Sequence, residues 1–245
     1  MNCLMMNENV DILVFAAHPD DAELSCAGTI MKQIDKGLSV AIVDLTQGEL
    51  GSRGTIETRY AEAKESSRLM GISHRENLKM QDGWFEINEK NKRLIIEQIR
   101  RFQPKIVLAN ALMDRHPNHG KGGKLVSEAC FLSGLRMIET SWKNETQSYH
   151  RPTAVYHYIQ DYYIKPDFVV DVTDYVERKI AVIKAFKTQF FNPNSNEPAT
   201  PISGEDFFDF IQSRMKEMGR PAGMTYAEGF TVERFIGVEN LLDLK

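Results

Sequence analysis

The sequence predicts an α/β fold whose largely parallel sheet is covered by helices on both faces. Three observations predict it. Short apolar runs alternate with segments of helical periodicity, glycine or proline closes most of those segments, and the loops after the apolar runs carry the chemically expressive residues. Residues 11–17 (DILVFAA) read as a buried strand, after which Leu24, Ala27, Ile30, Met31 and Ile34 recur at helical spacing until Gly37. Residues 38–45 (LSVAIVDL) read as a second strand, and 56–70, polar with interspersed alanine, as a surface helix that Gly71 ends. Leu94, Ile95, Ile99 and Phe102 mark a third helix that Pro104 breaks. A strand at 105–110 (KIVLAN), a polar loop and a helix reaching residue 139 follow.

Strands and helices alternating in this way imply right-handed crossovers, and such folds bind ligands beyond the carboxyl ends of their strands. The loops at that edge are HPDDAE, TQGELGSRGT and DRHPNHG, so topology alone predicts that they converge. The second half is less regular. Residues 154–160 and 168–172 read as strands and 174–190 as an amphipathic helix, while 192–204 (NPNSNEPATPISG) is rich in Pro, Asn and Ser and reads as a lid or binding loop. No internal repeat or linker divides the chain, which is expected to form one domain over residues 1–245 with 1–10 as a loose N-terminal extension.

A chain of 245 residues with 42% apolar content has enough material for a substantial core. Its net charge of -4, without a basic block, argues against nucleic acid as a partner. There is no basic start followed by an apolar run and no stretch of about 18 uncharged apolar residues, so neither a membrane partner nor export is expected. Cys3, Cys26 and Cys130 are odd in number and form no CxxC pair, which fits the reducing cytoplasm.

His18 and Asp21 flank a strand-to-helix turn that Pro19 stiffens, and both side chains are placed to face one ion. His119, on another loop at the same edge, would complete two imidazoles and one carboxylate with a position left open for water, the pattern of a catalytic site. Zn²⁺ suits that set, and Fe²⁺ is found with the same ligands. Taken alone, HPDD also reads as a proline turn in which Asp20 or Asp21 caps a helix. The joint placement of HPDD and HPNH after two strand runs is what favours a metal. Asp20 is then placed to act as general base, the alternative being a helix cap, and His116 to stabilise an oxyanion as imidazolium and protonate a leaving amine, the alternative being a surface histidine. His74, His150 and His157 lack such context.

Glu49 and Arg53 lie in GELGSRG, whose glycines permit close approach of a ligand. Arg53 has the planar fork to grip a carboxylate or phosphate, or is simply a solvated loop arginine. No GxGxxG or P-loop is present, which argues against dinucleotides and nucleoside triphosphates. Tyr226 and Glu228, in TYAEGF, are candidates for the far wall of the site, with a packed aromatic and a surface acid as the plainer reading.

AHPDDAELSCAGT, TQGELGSRGT and DRHPNHG together resemble the PIG-L (LmbE-like) zinc-dependent N-deacetylases. Within that family the chain is most similar to the bacillithiol-biosynthesis deacetylases, through LSGLRMIETSW, YHYIQDYYIKPDFVVDVT, KTQFFNPNSNEPATPIS and MTYAEGF. The resemblance implies a Rossmann-like fold and a zinc ion held by His18, Asp21 and His119, with Asp20 as base and His116 as electrostatic and acid partner. It implies hydrolysis of N-acetylglucosaminyl malate to glucosaminyl malate and acetate, with Arg53 meeting the malate carboxylates, and assembly as a homo-oligomer, hexamers being common among relatives. One departure stands out: Asn118 occupies a position where many relatives carry Asp. Asn118 is expected to orient an imidazole without supplying negative charge, so that His116 titrates lower than in those relatives. Two rivals remain open at this point, a metal-free sugar- or nucleotide-binding α/β module and a metal hydrolase of another N-acyl group or a chitin-type sugar.

Overall fold

The computed structural model describes residues 8–243. Strand β1 (Ile12–Ala16) leads to helix α1 (Asp21–Asp35), β2 (Val40–Thr46) to α2 (Ile56–Met70), β3 (His74–Met80) to α3 (Glu89–Phe102), and β4 (Ile106–Ala109) to α4 (Pro117–Ser133). A small hairpin of β5 (Ser141–Trp142) and β6 (Glu145–Thr146) follows, then β7 (Ala154–Tyr158), β8 (Phe168–Asp171), α5 (Val176–Ile183), α6 (Phe207–Gly219) and β9 (Ala227–Val232). Among the described residues one seven-stranded sheet runs in the order β3-β2-β1-β4-β7-β9-β8. Its first five strands are parallel, and β9 runs antiparallel between β7 and β8.

The central strand explains its own sequence. Leu13 and Phe15 pack with Ile95 and Ile99 of α3 and with Leu125 and Val126 of α4. Their neighbours Ile12, Val14 and Ala16 pack with Ala27, Ile30 and Met31 of α1. Alternate side chains therefore enter two apolar layers, which is why a parallel strand reads as an unbroken apolar run. Local signals set the helix ends: the Thr55 side chain accepts from Thr58 N to start α2, and Gly71, at φ 82°, stops it in a left-handed conformation.

The sheet places the site through its connectivity. The chain moves outward from β1 to β2 and β3, then returns to lay β4 on the other side of β1. The loops after β1 and β4 therefore part at a topological switch point and leave a crevice between them.

Several expectations change at the edges of this frame. The polar run HRENLKM is the edge strand β3, whose charged groups are paired: Arg75 binds Asp44 through two hydrogen bonds of 2.8 and 2.9 Å and Glu23 at 2.6 Å. An edge strand carrying paired charges shows no apolar alternation to read. The expected helix at 174–190 is regular only over Val176–Ile183. Turn bonds from Phe186 N to Ile183 O and from Phe190 N to Phe186 O keep both rings facing the core without a continuous helix. The expected helix to residue 139 ends at Ser133, before Gly134. Of the expected N-terminal extension, residues 1–7, with Cys3, lie outside the described residues. Residues 8–10 are not loose, because Val10 N donates to Phe102 O at 2.9 Å and Glu8 pairs with Arg101. Among the described residues, no helix is long and apolar enough to cross a membrane.

Candidate active site

The three loops converge as the topology requires. His18 follows β1, and His116 and His119 open α4 after β4, with ring centroids of 4.6 Å for His18–His116 and 5.1 Å for His116–His119. Asp21, at the start of α1, lies between the two proposed histidine ligands: Oδ1 is 3.1 Å from His119 Nε2, and Oδ2 is 3.6 Å from His18 Nδ1. Its orientation is fixed from behind, where Oδ2 accepts from His18 N at 3.0 Å and from Asn110 Nδ2 at 3.0 Å. Each histidine is oriented in turn by a carboxylate on its far nitrogen: His119 Nδ1 donates to Asp114 Oδ2 at 2.5 Å and His18 Nε2 to Asp82 Oδ1 at 3.0 Å. Carboxylate–imidazole pairs of this kind fix the tautomer and aim the remaining nitrogen.

The charges follow from this packing. Burial opposes charge on His18 and His119, but hydrogen bonds donated to Asp21 and Asp82 lift His18 to about 10, and the charge of Asp21 with the bond donated to Asp114 lifts His119 to about 9. Burial alone would raise Asp21, yet the charge of His119 and bonds from both histidines hold its carboxyl well below the usual range. His116 moves the other way, to about 4, through burial and then the positive charge of His18 and His119.

Donor chemistry and spacing both fit a divalent cation. One nitrogen each from His18, His116 and His119 lies within 4.8 Å of the others, so these three imidazoles also form a ligand group. The Asp21 oxygens reach the same two histidines, giving a second geometric solution in which His116 stays free. In either case three carboxylates, Asp21, Asp82 and Asp114, surround two imidazoles, an excess of negative charge that a cation balances.

Asp20 does not cap α1. Its backbone sits at φ 136°, a region non-glycine residues rarely adopt, and its side chain makes no capping bond. The carboxylate instead lines the cavity, 3.5 Å from Arg59 Nη1. Burial lifts the Asp20 carboxyl to about 7, against the opposing pull of Arg59. Backbone strain of this kind is typical where a side chain must be aimed at a reacting group.

Asn118 stands beside an imidazole, but its side chain does not reach His116, whose Nδ1 accepts from the Asn118 backbone N–H at 3.2 Å. The Asn118 side chain points the other way, donating to Asp82 Oδ1 at 2.7 Å and standing 3.2 Å from His18 Nε2. It is fully buried and outside the cavity wall, so it supports Asp82 and His18 rather than facing a substrate. The low His116 value therefore has burial and two neighbouring cations as its cause. With Nδ1 accepting, a neutral ring carries its proton on Nε2.

The cavity holds about 360 Å³ and is lined by His18, Asp20, Asp21, His116, His119, Arg53 and Glu228 among others. Arg53 is buried and donates through Nη2 to Ser195 Oγ at 3.0 Å, while its Nε has no partner among the described residues. Glu49 supports the site from outside the wall, its Oε1 accepting from Asp82 N at 2.7 Å. Tyr226 stays out of the cavity and packs against the cluster that contains Phe207 and Met215. Glu228 is no surface acid: it is buried and accepts from Lys179 Nζ at 2.6 Å and from the backbone N–H groups of Gly28 and Thr29 at 3.0 and 2.7 Å. Those donors lie just past the break in α1 at Cys26, so its carboxylate satisfies amides that the kink would otherwise orphan.

Sequence reading missed Asp82, Asn110, Asp114, Arg59 and Arg115. Asp114 and Arg115 stand inside DRHPNHG and Asn110 ends KIVLAN, so proximity to the histidines was their available signal. Asp82 carried none, and Arg59 was hidden in a helix that reads as surface.

Comparison with known proteins agrees with this geometry. Residues 13–130 match the PIG-L family model, described as GlcNAc-PI de-N-acetylase. The chain is 27% identical to the diacetylchitobiose deacetylase of Thermococcus kodakarensis over 91% of its own length and 83% of the relative's. It is 26% identical to a probable N-acetyl-alpha-D-glucosaminyl L-malate deacetylase of Bacillus anthracis, over 76% of this chain and 84% of that one. Among solved structures, a conserved protein of Thermus thermophilus superposes with a TM-score of 0.83 at 30% identity, covering 94% of this chain and 98% of the other.

Proposed function

The chain belongs to the PIG-L family and is a hydrolytic N-deacetylase, and on that premise we propose that it removes the acetyl group from N-acetylglucosaminyl malate, giving glucosaminyl malate and acetate. The metal is proposed to be zinc, with Fe²⁺ the alternative, held by His18, Asp21 and His119. When bound there it would polarise the acetamide carbonyl and lower the pKa of a water toward about 7.

The remaining work belongs to side chains. Asp20, held by burial at about 7, takes the proton of the attacking water. His116, neutral and carrying its proton on Nε2, donates to the carbonyl oxygen as negative charge develops. The proton held by Asp20 then returns to the departing amine. The reading of the substrate rests chiefly on Arg53, a buried guanidinium at the cavity wall that donates to Ser195 Oγ and has, among the described residues, no carboxylate within ion-pair distance. Such a group suits the malate carboxylates. Arg214, which lines the same cavity and donates to the carbonyl oxygens of Gln160 and Asp161, adds a second cation.

A second reading has its own support. The relation to diacetylchitobiose deacetylase favours a neutral chitin-type disaccharide as substrate. The proposed setting is the cytoplasm, where Cys26 and Cys130 stay as free thiols. The proposed assembly is a homo-oligomer, for which the fully exposed Phe235 and the exposed Leu241 and Leu242 beyond β9 offer contact surface.

The test is release of free amine from N-acetylglucosaminyl malate, N-acetylglucosamine and diacetylchitobiose, before and after chelation and zinc restoration. Turnover of the malate conjugate that vanishes with chelator and returns with zinc is the expected outcome. A preference for diacetylchitobiose would overturn the substrate and keep the chemistry.

A further inference from the structure

The cavity wall combines two kinds of surface. One is polar and comes from loops, with the three histidines, Arg115 and Asp161. The other is apolar, formed by Ile159, Ile202, Phe207, Ile211, Met215 and Met218. Four of these come from α6; Phe207, Ile211 and Met215 belong to one apolar cluster and Ile159 and Met218 to another. Gly229 lines the cavity as well, and a Cβ there would stand 2.7 Å from Met218 Sδ. Polar groups beside these side chains are already engaged: the Glu228 carboxylate accepts from Lys179 and from two backbone amides, and Arg214 of α6 donates to the carbonyl oxygens of Gln160 and Asp161.

A sugar does not match the apolar surface. Hydroxyl groups against it would be desolvated without partners, whereas the polar surface offers donors and acceptors. An acetyl methyl is too small to cover six apolar side chains. The part of an N-acyl sugar that extends away from its hydroxyls, across the scissile amide, is the acyl chain. We propose that the apolar surface of the cavity is an acyl site, and that N-acyl amino sugars with chains of butanoyl to hexanoyl length are better substrates than their N-acetyl counterparts. The proposal rests on the N-deacetylase reading and deepens it. The reaction is unchanged: water adds to the carbonyl carbon, the C–N bond breaks, the acyl group leaves as a carboxylate and the amine takes the proton. Methionine suits such a wall because its unbranched side chain refits to chains of different length.

The experiment compares kcat/KM for N-acetyl-, N-butanoyl- and N-hexanoylglucosamine on the zinc-loaded protein. Each methylene buried is worth about fourfold, so the butanoyl amide, two methylenes longer, should exceed the acetyl amide by about fifteenfold. Filling the site with Met215→Phe or Ile211→Phe should lower the butanoyl-to-acetyl ratio, and Ser213→Ala, at an exposed position of α6 outside the cavity lining, should leave it unchanged. An acetyl amide that is cleaved best, or a ratio that ignores both filling variants, would overturn the proposal. So would a preference that follows an octyl over a methyl group at the anomeric position and ignores the acyl chain. Should no amide of any length be cleaved, the N-deacetylase reading fails on its own. Calorimetric titration of the chelated protein with hexanoate and acetate then decides the acyl site: hexanoate binding at least about tenfold more tightly supports it, and equal binding overturns it.

Discussion

The two walls of the cavity are built on different terms. The wall with the histidines comes from loops that end parallel strands, where the backbone fixes where each side chain starts and carboxylates fix where it points: Asp114 behind His119, Asp82 behind His18 and Asn110 behind Asp21. The opposite wall comes from α6 and the antiparallel β9, and apart from Arg214 and the buried Lys179–Glu228 pair it offers mainly surface and shape. The difference teaches where single changes should act. On the first wall one side chain carries chemistry and contributes little to the core, whereas on the second one side chain carries stability or selectivity.

The sharpest way to break that division is at the histidines. His119→Ala should lose bound metal and lower turnover by more than the roughly 10–100-fold typical of an outer-shell change. His116→Ala should keep one metal per chain while kcat falls about 10²–10³-fold, as loss of an oxyanion donor does. Metal analysis beside steady-state kinetics reads both. Loss of metal from both variants would move His116 into the ligand set with His18 and His119, the alternative that their spacing permits.

The next effect falls on the other wall and on a different observable. Glu228→Ala strands the Lys179 ammonium, which is 1% exposed, and orphans the amides of Gly28 and Thr29. Urea unfolding should show a loss of about 3–5 kcal/mol, with Lys179→Met restoring part of it in the double variant. At low temperature the folded fraction should keep its metal and its kcat within a few-fold. A kcat loss beyond about tenfold with metal retained would place Glu228 among the groups that touch substrate, and the comparison between the walls would fail.

Legibility in the sequence follows the same division. Apart from the polar edge strand β3, the parallel half was readable because strands buried on both faces are unbroken apolar runs, and because His, Asp and Arg are conspicuous in the loops after them. The doubly wound topology and the convergence of His18, Asp21, His116 and His119 followed from that. Residues that act through others were not readable: Asp82 and Asn110 have meaning only once the chain has folded, and Asn118 was assigned to His116 although its side chain faces His18 and Asp82. The C-terminal wall was least readable. Gly229 and Glu228 interrupt the apolar pattern of β9, and α6 reads as an apolar helix with no sign of which face meets a cavity.

Asn110 sits at the seam of the two regions and should give the smallest effect of the three. Its Oδ1 accepts from Ala17 N at 2.9 Å, and its Nδ2 donates both to Asp21 Oδ2 and to Gln160 Oε1, each at 3.0 Å. It therefore ties the loop after β1 to the segment after β7. Asn110→Ala removes one of the bonds that hold Asp21 in place without removing a ligand, so metal affinity should fall by about 10–100-fold in a competition titration with a chelator, and kcat at saturating zinc should recover most of its value. Failure of zinc to restore kcat would mean that Asn110 positions the reacting groups as well as the metal, and the seam would then belong to the chemistry of the first wall.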